Sequence, residues 1–183
     1  MPQVDPELAE LAQNPRIPVD VLAAAQFTSR QLSEHWQACT SGAHYHVAVA
    51  LVDATTGRMA VHLAADGALS PISGHLASWD RSVRHAAARL TMEQSGLSVD
   101  IDRASLVSLT TIDHIDADHQ AEHHEFGVLW ERASAVRADL AERIVWLPLT
   151  ELICSSDARV ANLAAVTREH LSSQPVLRST TRR

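Results

Sequence analysis

The chain has 183 residues, a formal net charge of −7, a pI near 5.8 and two cysteines, so it has the length for one domain with a buried core. Its acidic balance argues against nucleic acid or an anionic membrane as partner. Cys39 and Cys154 lack the spacing of a disulfide framework or thiolate zinc site, and all 15 basic residues are arginine, which excludes every lysine-based chemistry.

The first segments, Pro6 to Gln13 and Val19 to Thr40, read as helical, broken by Asn14-Pro15 and Pro18, with Val21, Leu22, Ala25, Leu32 and Trp36 at helical spacing. They make residues 1–42 an N-terminal helical extension. His35 and Cys39 lie four apart there, and without further donors they read as packing or surface residues. His46 to Asp53, HVAVALVD, is a short Val-rich run that predicts a buried strand, turning at Thr56-Gly57 into a second strand, Arg58 to Leu63. By the two-residue period His44, His46 and Ala48 share one strand face. Asp66-Gly67 marks another turn, and Leu69 to Ile72 leads onward.

Gly74 to Leu97, GHLASWDRSVRHAAARLTMEQSGL, predicts a loop entering an amphipathic helix. Asp80 or Ser78 is placed to cap its start, Val83 to Glu93 lacks Gly and Pro, and Gly96 suits a C′ residue of positive φ. Ala104 to Ile112 and His123 to Arg132 read as strands separated by an acidic, histidine-rich loop, Asp113 to Glu122. Ala135 to Leu140 suggests a short helix or turn, and Ile144 to Leu147 a last strand ending at Pro148. A final helix, Asp157 to Leu171, carries Val160, Leu163, Ala164 and Leu171 on its inner face. Residues 174–183 read as a flexible, basic tail. No stretch approaches the ~18 apolar residues of a membrane span, and with so few cysteines a reduced, cytoplasmic protein is the expectation.

The helix and its entry resemble the Nudix box, G-x5-E-x7-R-E-U-x-E-E-x-G-U, where U is apolar. The end of the box aligns as Arg89, Leu90, Thr91, Met92, Glu93, Gln94, Ser95, Gly96 and Leu97, and its start as Gly74 and, after five intervening residues, Asp80. One extra residue lies between Asp80 and Arg89, and an Asp with that insertion resembles a bacterial Nudix subgroup. WLPLTEL, Trp146 to Leu152, resembles the Trp-x-Pro-Leu-x-Glu-Leu ending common in Nudix domains. The resemblance covers roughly Ala43 to Leu171. It implies an α/β class fold, a Nudix-like α/β/α sandwich with a mixed sheet, over residues 43–173. It also implies a divalent metal, Mg, Mn or Zn, held by helix glutamates against a diphosphate. Leu90 and Gln94 stand where the family has two of its three metal-binding glutamates. Glu93 is thus left as ligand or base, Arg89 as its orienter and Gln94 to position water or substrate; the plain alternative for Arg89 and Glu93 is a helix-surface ion pair.

A second set, His46, His75, His123 and Glu125, resembles the metal site of isopentenyl diphosphate isomerases, which share the Nudix fold. His46, His75 and Glu125 match ligand places and His123 replaces an acid, whereas Ser73 stands where the isomerases have a catalytic cysteine. Two readings of these residues stand side by side: metal ligands that would favour a transition metal, or hydrogen-bonded pocket and loop residues.

The resulting expectation is a diverged Nudix-type hydrolase acting on a small diphosphate-containing metabolite with a divalent metal. The alternatives are a non-hydrolytic Nudix-fold binding or regulatory protein, or a metal-dependent enzyme with an isomerase-like His/Glu site. Substrate identity and oligomeric state are open at this level.

Overall fold

Strand β2 (Tyr45–Asp53) is the spine of the structure, because its apolar run is buried on both faces. Val47, Val49 and Leu51 pack into one apolar cluster, while Ala48, Ala50 and Val52 pack into a second one. Alternation of side chains along one strand therefore divides two cores. The computed structural model describes residues 10, 19–23, 45–53, 55–116, 119–131, 134–135 and 144–173.

The other strands are β1 (Val19–Ala23), β3 (Arg58–Leu63), β4 (Leu69–Ser70), β5 (Ile72–His75), β6 (Leu97–Ser98), β7 (Ser105–Asp116), β8 (His119–Trp130), β9 (Ser134–Ala135) and β10 (Ile144–Pro148). The main sheet runs β1-β7-β8-β2-β3-β10, with β4 beside β3 and β5 beside β2; β6 and β9 form a separate pair. β1 runs parallel to β7 and β2 parallel to β8, and the remaining pairs are antiparallel, so the sheet is mixed.

Helix α1 (Val83–Ser95) covers one face, burying Val83, Ala86, Ala87 and Leu90 among Val47, Val49, Leu51, Phe126, Val128 and Trp130. Helices α2 (Leu149–Leu152) and α3 (Ala158–Ser173) cover the other, with Leu152, Val160, Leu163 and Ala164 against Ala48, Ala50, Met59 and Leu129. The result is the α/β/α sandwich with a mixed sheet that the sequence led us to expect.

Local chemistry explains most element ends. Gly96 closes α1 at φ 68°, its N–H donating to the Met92 carbonyl, a left-handed C-cap that other residues adopt only at a cost. The α1 N-cap is Ser82, whose hydroxyl accepts from the His85 N–H, in place of the expected Asp80 or Ser78. Asp80 is committed elsewhere.

Two segments differ from the sequence reading. Val19–Ala23, expected as helix, is a strand that takes the backbone edge offered by Leu109–Asp113 of β7; a long unpaired strand edge outweighs weak local propensity. Glu10 is helical, and the rest of residues 1–42 lies outside the described residues, as do Val136 to Leu140 and the 174–183 tail. Asp113 to Glu122, expected as a loop, continues the β7–β8 ladder through Asp113↔Glu122, His114↔Ala121, Ile115↔Gln120 and Asp116↔His119. Backbone pairing does not require apolar side chains, so the ladder outruns the hydrophobic pattern that betrays it.

Candidate active site

The entry loop of α1 folds back on its own helix through Asp80. This side chain, fully shielded from solvent, accepts a bidentate pair from Arg89, Nε to Oδ1 at 3.0 Å and Nη2 to Oδ2 at 2.8 Å. It also accepts from the Ala77 N–H at 2.8 Å. Burial alone would raise the Asp80 pKa; the Arg89 hydrogen bonds, with Ala77 and His85, hold it below the usual carboxylate value. Arg89 is in turn pushed above its ordinary value, chiefly by its hydrogen bonds to Asp80.

Arg89 has two further duties. Its Nη2 donates to the His75 carbonyl at 3.1 Å, and its Nη1 donates to Glu93 Oε2 at 3.0 Å. One guanidinium thus joins the entry loop, the end of β5 and the exposed face of α1. Glu93, 56% exposed at its side chain, is oriented by Arg89 and open to solvent.

Leu90 is turned the other way. It is 4% exposed in the α1 core, and a Cβ on Gly74 would lie 2.6 Å from its Cδ2. Glycine at 74 is therefore the partner of leucine at 90: any side chain at 74 would force the Leu90 side chain to shift within the packed core.

Gln94 does not point to solvent either. Its Oε1 accepts from the Ser73 N–H at 3.2 Å and its Nε2 donates to the Ser73 carbonyl at 2.7 Å, with His62 Nε2 3.2 Å from the same Oε1. The primary amide occupies the place of a neighbouring strand along β5, offering one donor and one acceptor. A carboxylate has no donor and would set an oxygen against the Ser73 carbonyl. That is a physical reason for glutamine at this box position.

Of the second set, His46, His75 and Glu125 lie on the opposite face of the sheet. In register, His75 pairs with His46, His46 with Glu125 and Glu125 with Thr110, which puts four side chains in one row across β5, β2, β8 and β7. The rings of His46 and His75 meet edge to face with centroids 3.8 Å apart. The sequence offers Glu125 as a metal ligand beside them; its carboxylate is instead bound by Arg159 of α3, through Nη2 to Oε2 and through Nε to Oε1 at 3.3 Å. Arg159 Nη2 also donates to Ser73 Oγ at 2.9 Å.

Both partners of this ion pair are nearly enclosed, at 8% and 7% side-chain exposure. Burial works against the Arg159 charge, and Glu125 beside it more than offsets that, keeping the pKa above its ordinary value. Asn162 Nδ2 donates to Thr110 Oγ1 at 3.1 Å one turn further along α3. Between them lies a cavity of about 10 Å³, the room of roughly one water.

The structure thus brings Asp80, Arg89 and Glu93 together, brings His46 and His75 together, and separates the two groups by the sheet. β5 links them: its backbone is held by Arg89 and Gln94, and its Ser73 hydroxyl by Arg159. His123 is placed through its backbone opposite Ile112. Among the described residues no group of three or more His, Cys, Asp or Glu side chains is placed to hold a metal ion. The residue that the sequence reading missed is Arg159. Its signal was its spacing: it precedes Leu163, Val166 and Thr167 by four, seven and eight positions, and so sits on the buried stripe of α3.

No family model matches the chain, and no curated protein is significantly similar to it in sequence. Its structure is similar to solved ones. The C. elegans Ap4A hydrolase matches at 15% identity with TM-score 0.50, over 69% of this chain and 97% of that one. The E. coli ORF135 protein matches at 14% with TM-score 0.51, over 72% and 93%. A MutT Nudix hydrolase from Burkholderia pseudomallei matches at 23% with TM-score 0.48, over 66% and 94%. The fold is that of the Nudix hydrolases.

Proposed function

We propose that the protein is a diverged Nudix-type hydrolase that takes a small diphosphate-containing metabolite in complex with a divalent cation. The observation that supports this reading is the Asp80–Arg89–Glu93 relay, which holds one box carboxylate at the exposed face of α1. The likeness in fold to an Ap4A hydrolase supports the diphosphate class of substrate. A reduced, cytoplasmic setting belongs to this reading, on the strength of only two cysteines without paired spacing.

The donor set decides how a metal is handled. Leu90 has no donor atom, and both ends of the Gln94 amide are bound to Ser73, so a resident three-carboxylate site does not fit. Magnesium commonly binds through one or two carboxylates together with substrate phosphates, and Glu93 suits such a substrate-borne ion. The ion would neutralise phosphate charge as water attacks. Asp80 fixes the Arg89 guanidinium, and Arg89 fixes the Glu93 carboxylate, so this chain contributes orientation and a single negative charge.

With so little ligand charge, magnesium-dependent hydrolysis of nucleoside triphosphates should be very weak beside that of an enzyme with an intact box. The test is release of phosphate or mononucleotide from dinucleotides, nucleotide sugars and coenzyme A with Mg, Mn or Zn. Glu93→Gln should abolish turnover while leaving thermal stability unchanged; turnover unaffected by this substitution refutes the reading.

A second reading, a non-hydrolytic Nudix-fold binding protein, is favoured by the burial of Leu90 and by the strand-like role of Gln94. It is distinguished by saturable binding of one of these compounds with no turnover under any metal.

A further inference from the structure

The turn between β2 and β3 carries two opposite charges that the ladder sets side by side and whose side chains turn to other partners. Register places Asp53 directly across from Arg58, an arrangement in which opposite charges commonly pair. Instead, Asp53 Oδ1 accepts from the Thr55 N–H at 2.9 Å and Oδ2 from the Thr56 hydroxyl at 2.7 Å, while Arg58 Nη1 donates to the Trp146 carbonyl at 3.3 Å. These bonds, that of the Thr56 hydroxyl first, hold the Asp53 carboxyl below its usual pKa, so it is ionised at neutral pH. Asp53, Thr56, Arg58 and Trp146 line one open hollow of about 490 Å³, within the size range of small-molecule sites. Its frame is fixed by Gly57, which turns the chain at φ 63°. The Gly57 N–H donates to the Asp53 carbonyl at 2.8 Å, and its own carbonyl accepts from the Leu149 N–H at 3.0 Å, tying the hairpin to the junction of β10 and α2.

The hollow is separate from the Asp80–Arg89–Glu93 relay. Arg89 meets the His75 carbonyl at the His46 end of β2, and Asp53 lies seven residues along that strand from His46, about 23 Å away at the rise of a β-strand. An ionised carboxylate accepts at about four lone-pair positions and a guanidinium offers five N–H donors, so both heads keep capacity for a ligand beyond the bonds described. Trp146, half-buried against the α1-side cluster, adds an apolar wall. A ligand with one charge would satisfy one head and leave the other without a counter-charge. A carboxylate matches the planar fork of Arg58, an ammonium supplies N–H donors to Asp53, and an α-amino acid carries both on one carbon, as suits two heads that share one ladder row. We propose that the hollow binds a free α-amino acid with an apolar side chain, its carboxylate on Arg58, its ammonium on Asp53 and its side chain against Trp146. This goes beyond the hydrolase reading and does not depend on it.

The test is a nuclear magnetic resonance titration of the isotope-labelled full chain with three probes: L-leucine, which carries both charges, N-acetyl-L-leucine, which keeps the carboxylate, and L-leucinamide, which keeps the ammonium. L-leucine should saturably shift the amide signals of Thr56 and Arg58 and the indole signal of Trp146, and should bind roughly 3- to 30-fold more tightly than either single-charge probe, as for a charge-assisted hydrogen bond partly open to water. Arg58→Gln should remove the advantage over L-leucinamide, and Asp53→Asn, which keeps an acceptor for the turn, should remove the advantage over N-acetyl-L-leucine. L-leucinamide should bind Arg58→Gln, and N-acetyl-L-leucine bind Asp53→Asn, as they bind the parent, which shows that the hollow survives each substitution. No saturable binding of L-leucine, equal affinity for the three probes, shifts centred on α1 instead of the hollow, or variants that bind L-leucine as the parent does would each overturn the inference.

Discussion

Removing the guanidinium of Arg89 should cost the protein more than removing the charge of Asp80, although the two form one ion pair. Asp80 has no exposed side-chain surface, whereas Arg89 is 21% exposed and keeps Glu93 and the His75 carbonyl as partners. In Arg89→Met the Asp80 carboxylate is left enclosed with the Ala77 N–H as its remaining strong donor. Breaking a fully buried pair costs ~3–5 kcal/mol, so with Ala77 still bonded and one partner partly solvated the loss should be about 2–4 kcal/mol. In Asp80→Asn the amide keeps the shape and one acceptor, and the Arg89 charge turns to Glu93 and water, at a cost of about 1–2 kcal/mol. The double variant should therefore be more stable than Arg89→Met alone.

The pH dependence supplies the sign. The Asp80 pKa is lower in the folded protein than its ordinary value of 3.8, so the unfolded chain takes up the proton first as pH falls. The contribution is then fully present above the unfolded value and is lost as pH drops through the lower folded value. Urea unfolding followed by circular dichroism, at pH 7 and in steps below pH 5, should show the parent's advantage over Asp80→Asn constant to roughly pH 5 and shrinking below it. An Arg89→Met variant no less stable than Asp80→Asn, or an advantage that persists unchanged to roughly pH 2.5, would refute the reasoning.

Installing the glutamates of the Nudix box should destabilise this protein. Leu90→Glu places a carboxylate where Leu90 now touches Gly74, at a cost of several kcal/mol, and Gln94→Glu loses the donor to the Ser73 carbonyl, at about 1–3 kcal/mol. Both are read as falls in melting temperature, and a Leu90→Glu variant as stable as the parent would contradict the packing described. For the buried pair on the other face, Glu125→Gln or Arg159→Met alone should each cost about 3–5 kcal/mol, while the double replacement Glu125→Leu with Arg159→Met recovers much of it. Denaturant midpoints of the three variants measure this, and a double variant whose loss is the sum of the two single losses would show that the pair is not coupled.

The sequence by itself determined the elements whose signals are local. Gly96 after an uninterrupted helical run set the end of α1, the two-sided apolar run of β2 announced a central buried strand, and Pro148 ended β10. The order of box, strands and WLPLTEL was enough to point to the Nudix fold, since each is a short pattern whose period or end residue is written in adjacent positions. The strand pairing of Val19–Ala23 was not legible, because its backbone edge is offered by a distant strand and leaves no mark on the segment that takes it; that of Asp113–Glu122 was not, because a hairpin ladder of backbone bonds needs no apolar alternation.

The same division runs through the candidate site. That Leu90 brings no ligand atom was evident from its side chain alone, but that it must be small-partnered apolar packing follows only from how near Gly74 comes. Gln94 and Glu125 have side chains able to act on water or metal; the tertiary structure decided that one serves as a strand partner for Ser73 and the other as the counter-charge of Arg159, 34 residues away. Hydrogen-bonding capacity belongs to a residue type and is readable in sequence, whereas its use depends on which groups burial brings within about 3 Å.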